Sequence, residues 1–187
     1  MKKDTPIVNS VKFFFFDIES SNQNFQEMKK AMARGHYIKA AKIADFLLAN
    51  HNNRRRKAHR LSREELCLCE IAKGIFSLRR KDFSSALLAF GSASGISQSD
   101  MRIKSEILLA LVNVFDKNYK EARRRLKEMN SAILLKESMN GNQSVAALRY
   151  EHDCVRKVYQ AQCKGLVFDN AHSISKTSKL FDVKIPV

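Results

Sequence analysis

Residues 67–93, CLCEIAKGIFSLRRKDFSSALLAFGSA, constrain the fold of this chain more than any other stretch. Leu68, Ile71, Ala72, Ile75 and Leu78 recur at helical spacing, and after Arg80-Lys81-Asp82 the pattern restarts at Phe83, Ala86, Leu87, Phe90 and Ala93. Two apolar stripes parted by three polar residues predict two helices that turn back on one another and bury those stripes together. Small residues at Gly74 and Ala86 let such helices approach closely, with Phe83 and Phe90 filling the space between them. A chain of 187 residues with only 6 Gly and 2 Pro has few turn formers. Long helices rather than sheets are therefore expected throughout.

The same punctuation recurs on both sides. Upstream, Asn24 and Glu27 have the spacing of a capping box, and Phe25, Met28, Met32 and Ala33 share a helical face. Gly35-His36-Tyr37 interrupts the pattern, which resumes with Ala40, Ala41, Ile43, Ala44, Leu47 and Leu48. Downstream, Ser99 or Asp100 is placed to cap a helix whose stripe is Ile103, Ile107, Leu108, Leu111, Val114 and Phe115. Asn118 then caps another helix with Glu121 closing its box, and Tyr119 and Ala122 stand as Phe83 and Ala86 do. Ala40 to Ala86 spans 46 positions and Ala86 to Ala122 spans 36. The longer interval holds the polar, basic run 50–62, which reads as an insertion. It ends in Ser62-x-x-Glu65, a second capping box, with Leu61 placed to staple onto Leu66, so a helix is expected from Arg63. A longer helix over 143–165 presents Leu148, Val155, Val158, Tyr159 and Leu166 on one side. His152, near that stripe, has no second ligand one turn away and reads as a packed or half-exposed side chain.

Gly74 with Ala86 and Phe90, and the run Gly35-x-Tyr37-x-x-Ala40, resemble the G…A-x3-F core and inter-helix turn of the tetratricopeptide (TPR) repeat, whose period is about 34 residues. The likeness covers roughly residues 24–130. It implies an all-α fold: an array of three antiparallel helical hairpins, a TPR-like α-solenoid, with a C-terminal capping helix over its last apolar face. The chain then divides into an apolar N-terminal segment (1–20), a helical domain (21–168) and a flexible C-terminal tail (169–187). The resemblance further implies a groove along the first helices of successive hairpins, lined by Lys29, Met32, Ile75, Leu78, Arg79, Lys104, Leu111 and Phe115, that takes an extended or helical peptide. The carboxylate clamp of chaperone-binding TPR domains is not expected, because only Lys29 and Lys104 carry positive charge at the corresponding positions and the asparagines are missing.

Charge gives the sign of the partner, not its identity. The 34 Lys and Arg against 19 Asp and Glu give a net charge of +15, a field that draws in anions. The cations cluster beside the turns: Arg34 and Lys39, then Arg79, Arg80 and Lys81, then Lys117, Lys120, Arg123, Arg124 and Arg125. In a stacked array those turns would line one edge. Arg54, Arg55, Arg56, Lys57 and Arg60 form a second basic patch in the insertion. A solvated surface, an acidic protein or peptide, and nucleic acid all fit such clusters. The arginine content favours carboxylate or phosphate pairing.

No phosphate-binding glycine loop, H-E-x-x-H helix, nucleophile elbow or convincing Cys-His pair is present, so an enzyme is not expected, nor a metal or cofactor site. No zinc finger, helix-turn-helix or alternation of aromatic and basic residues supports nucleic acid beyond charge. Cys67, Cys69, Cys154 and Cys163 lack zinc spacing and read as reduced core thiols, which fits a cytoplasmic compartment. Lys2-Lys3 and the run Phe13, Phe14, Phe15 and Phe16 are followed at once by Asp17 and Glu19, so neither a signal peptide nor a membrane span is expected. The phenylalanine run reads as a segment packed against the first hairpin, a docking segment, or an aggregation-prone tail. The sequence expectation is a non-enzymatic adaptor or chaperone-like protein for an acidic partner, with nucleic-acid binding as the alternative.

Overall fold

The computed structural model describes residues 20–52, 60–96, 100–139 and 143–163. Among these residues the chain is all-helical, in seven helices: α1 (Gln23–Ala33), α2 (Tyr37–Asn52), α3 (Arg63–Arg79), α4 (Phe83–Ile96), α5 (Asp100–Phe115), α6 (Tyr119–Met139) and α7 (Gln143–Cys163). Each helix packs on the next, and α7 also reaches back to α5. None is long and apolar enough to cross a membrane. Phe13–Phe16, the basic residues 54–57 and the tail 169–187 lie outside the described residues.

Helix starts follow local side-chain chemistry. The Ser62 hydroxyl accepts from the Glu65 amide at 3.2 Å and the Glu65 carboxylate accepts from the Ser62 amide at 2.7 Å, the expected reciprocal box, which sets the first residue of α3 at Arg63. Such a cap is worth about 1 kcal/mol. At α1 the expected box does not form: the cap is Asn22, whose side chain accepts from the Phe25 amide, and the helix starts two residues earlier than Asn24 would place it. Its buried face is Phe25, Met28, Ala31 and Met32, while Ala33 is exposed. The insertion after α2 is tied at its ends, because the Leu61 amide donates to His51 Nδ1 at 3.1 Å.

Three connections share one geometry. At the end of α1 the Gly35 amide donates to the Met32 carbonyl and the His36 amide to the Ala31 carbonyl. Lys81 and Asp82 repeat this on Leu78 and Ser77 at the end of α3, and Lys117 and Asn118 on Val114 and Asn113 at the end of α5. These paired bonds are the Schellman closure, which needs a left-handed residue at its centre. Gly35 (φ 75°), Lys81 (φ 62°) and Lys117 (φ 62°) fill that place. Asp82 and Asn118 then start the next helix as well, accepting from the Ser85 and Glu121 amides at 3.1 and 3.5 Å. Five residues past each left-handed position stands Ala40, Ala86 or Ala122, all three wholly buried. The spacing read from the sequence thus marks equivalent places in the structure.

Burial grades along the chain. The middle helices α3 and α5 are covered on most sides: Cys67, Leu68, Cys69, Ile71, Ala72 and Ile75 in α3, and nearly every residue from Met101 to Val114 in α5, which is a buried core helix rather than a striped one. Gly74 meets the Phe90 ring so closely that a Cβ there would stand 2.4 Å from Cε1. Helix α7 is fixed by polar as well as apolar contacts. Lys104 Nζ lies 2.5 Å from Glu151 Oε1 with both side chains buried, and His152 Nε2 is 2.9 Å from the Leu126 carbonyl, to which it donates. Cys67, Cys69 and Cys154 are buried free thiols as expected, whereas Cys163 is exposed and is not a core residue.

Candidate partner-binding surface

The turns determine which cations face outward. A Schellman closure lifts its central residue out of the helix, and in the second and third turns that residue is a lysine, Lys81 or Lys117, exposed in both cases. Arg34 and Lys39 are exposed around the first turn, Arg80 beside Lys81, and Lys120 and Arg123 after Lys117. The first and second turns are joined directly: the Arg79 guanidinium sits over the Tyr37 ring, 4.7 Å from its centroid. Burial raises the Tyr37 phenol above its ordinary value, with the Arg79 charge opposing, so the ring is a neutral platform for the cation. Arg80 stacks on Phe76 at 5.5 Å in the same way. At the third turn Tyr119 meets Tyr159 of α7 edge to face, 6.3 Å between centroids.

The remaining residues of the expected site divide. Ile75, Leu111, Met32 and Leu78 are buried in the core, so they cannot line an open groove. Lys104 is a correction of another kind: it is 1% exposed and bound to Glu151, and its charge serves the contact between α5 and α7 rather than a partner. An apolar stripe and a buried lysine read alike in sequence whether they face a ligand or the next helix. Lys29 and Phe115 are half-buried. Arg124 is exposed, but its guanidinium already bonds Glu121 (2.6 and 2.8 Å) and Glu128 (2.6 Å). The Arg124 hydrogen bond in turn holds the Glu121 carboxyl below its ordinary value. Arg125, next to it, is engaged with Glu106 and Glu121. Lys39 has one loose exposed pair with Glu27 at 3.8 Å. In the second patch only Arg60 is described, and it is exposed.

Among the described residues, Arg34, Lys81, Lys117 and Lys120 form no ion pair with another described residue. These cations, with Arg80 and Arg123, are exposed at or beside the three turns. A different surface went unread in the sequence. Ile38 and Phe46 project from α2 away from its Ala40, Ala44 and Leu47 core stripe, at the i and i+8 positions of a second face. That spacing was the signal. Among the described residues no three His, Cys, Asp or Glu side chains gather as a metal site. Comparison with known protein families, with curated proteins and with solved structures finds no match.

Proposed function

We propose that this chain is a non-enzymatic, TPR-like adaptor or chaperone-like protein that holds an acidic peptide or protein segment against the cationic tips of its turns. In this reading α1–α6 form three antiparallel hairpins stacked as a solenoid, and α7 closes the last of them. The first and second turns already touch through Arg79 and Tyr37. Stacking brings the third alongside, so that Arg34, Lys39, Arg79, Arg80, Lys81, Lys117 and Arg123 form one ridge. Four free thiols fit a reducing, cytoplasmic setting.

The observation that carries the reading is the pair of left-handed lysines. A non-glycine residue in that conformation costs roughly 1 to 2 kcal/mol, and Gly35 fills the same place in the first turn without that cost. Lysine at Lys81 and Lys117 sets two unpaired charges at protruding tips at some expense of stability, an exchange that makes sense where the charge is used. Arginine and lysine at an exposed, curved edge suit carboxylates presented by a flexible acidic segment.

The test combines Lys81→Gly with Lys117→Gly. Stability should hold or rise slightly, since relief of the left-handed cost offsets the greater freedom of glycine in the unfolded chain. Capture of poly-glutamate should fall several-fold. Unchanged capture with unchanged stability would overturn the ridge as the binding surface. Nucleic acid is the competing partner, and the same pair of proteins on a DNA or RNA homopolymer decides: about six phosphate contacts would cost roughly a thousandfold in affinity between 50 and 200 mM salt. Retention on the homopolymer with that slope, and none on poly-glutamate, would transfer the ridge to nucleic acid.

A further inference from the structure

The outer side of α2 carries an open groove of 810 Å³ that adjoins the first turn of the ridge at Gly35 and Lys39. Tyr37, Ile38, Ile43 and Phe46 line it, with Lys42 beside them and Asn24 contributed by α1. Ile38 and Phe46 are 62% and 53% exposed, and with Tyr37 and Ile43 they line one contiguous groove, the kind of apolar patch that marks a docking site. We propose that the groove is filled by the chain's own residues 11–18, VKFFFFDI, which carry Phe13–Phe16 into it.

Reach, composition and charge all select this occupant. The chain enters the described structure at Ser20, whose carbonyl accepts from Gln26 Nε2 at 2.9 Å and whose hydroxyl donates to the Glu65 carboxylate. Ser20 is thus anchored four residues before Asn24, a lining residue of the groove. From Phe16 to Ser20 the backbone spans up to about 14 Å, enough to cross the width of α1, about 10 Å. Phe13 to Phe16, if extended, covers about 10 Å. Ile38 to Phe46 covers about 12 Å along α2. The run therefore matches the length of the face left open. Asp17 and Glu19 follow the phenylalanines directly, and Lys39 and Lys42 line the groove, so opposite charges meet at its margin. Docking also covers the four phenylalanines, an exposed apolar run otherwise prone to association.

The experiment is a cycle on the full chain: Phe46→Ala, removal of residues 1–18, and both together. Phe46 is half in solvent, so its truncation leaves the core intact. Phe46→Ala should lower Tm in the full chain by about 2 to 4 °C and leave Tm of the shortened chain unmoved. Removal of 1–18 should raise the fluorescence of an apolar-surface dye several-fold, and Phe46→Ala should cut that rise. Equal Tm effects of Phe46→Ala in both backgrounds would overturn the proposal. Oxidative cross-linking supplies a second readout: Phe46→Cys is combined in turn with a cysteine at each of positions 13 to 16, in a Cys163→Ser background. A bond within one molecule, unchanged on dilution, supports docking in cis. Bonds formed only between molecules would overturn it and assign the groove to a second copy.

Discussion

Replacing Gly74 with alanine sets two known effects against each other at one atom. Alanine is favoured over glycine in a helix interior by about 1 kcal/mol. The new Cβ, however, would lie 2.4, 2.6 and 2.7 Å from Cε1, Cδ1 and Cζ of Phe90, where carbon atoms rest at about 3.5 to 4.0 Å. A separation of roughly 1 Å must be found, and the wholly buried Phe90 ring can give it only by shifting within a packed core. Overpacking of this kind costs about 1 to 3 kcal/mol, and three ring atoms in conflict place it at the upper end. Gly74→Ala should therefore destabilise by about 1 to 2 kcal/mol. Gly91, exposed on α4 with nothing within 4 Å of its added Cβ, is the control. There the same substitution should stabilise by up to about 1 kcal/mol. Urea unfolding followed by far-ultraviolet circular dichroism reads both, with the slope against denaturant unchanged. In thermal melts the two variants should separate by about 2 to 12 °C. Adding Phe90→Leu to Gly74→Ala should cost less than the two changes summed. If Gly74→Ala stabilises as much as Gly91→Ala, α3 and α4 do not meet at this glycine and the packing account of the chain's centre fails.

Lys104→Met should cost about 3 to 5 kcal/mol by leaving the Glu151 charge buried without its cation, and adding Glu151→Leu should recover most of it; no recovery in urea unfolding would mean the two charges are not coupled. Burial pushes the Cys67 thiol up to about 11 and that of Cys69 up to about 12, and Cys154 is also buried, so at pH 8 one thiol, Cys163, should react quickly with a disulfide reagent and the others only in denaturant. Two or more fast thiols would contradict that burial. Glu121 has a folded pKa below its ordinary 4.5, chiefly through the Arg124 hydrogen bond; its contribution is complete above about pH 5 and is lost as pH falls through the folded value. Glu121→Gln should flatten that part of the stability profile, and an unaltered profile would remove Glu121 from it.

Periodicity and turn spacing made the helices legible because they are local signals. The restart at Phe83, the box at Ser62 and Glu65, and the alanines Ala40, Ala86 and Ala122 all record how the backbone turns within a few residues, and the structure repeats them. What escaped depends on the next helix but one. Lys104 looks like a surface cation until α7 brings Glu151 against it. Leu111 and Ile75 look like one face of a groove until α5 and α3 are covered from several sides. Asn22 outdid Asn24 as a cap because Ser20 is held by Glu65 of α3 and by Gln26, and the first of these contacts spans 45 positions. Lys81 and Lys117 hid their backbone conformation altogether, since the sequence cue for a left-handed residue is glycine and only the first turn has one.

The same turns bear on where the net charge of +15 acts. Along the helices, several cations have found carboxylates: Arg124 on Glu121 and Glu128, Arg125 on Glu106, Arg149 on Glu137, Lys136 on Asp100, Lys73 on Asp45. Pairs three or four residues apart form on a helix because its rise and pitch bring such side chains together, and pairs between helices form where two packed helices bring side chains face to face. A Schellman turn offers neither arrangement. Its central residue points away from both helices, so a lysine there keeps its hydration and its full field. At a Debye length of about 8 Å in physiological salt, that field acts only on a partner close to the tip. The two tip lysines thus hold charge where it can select a partner by contact, while Lys73, Arg125, Lys136 and Arg149 pair between neighbouring helices.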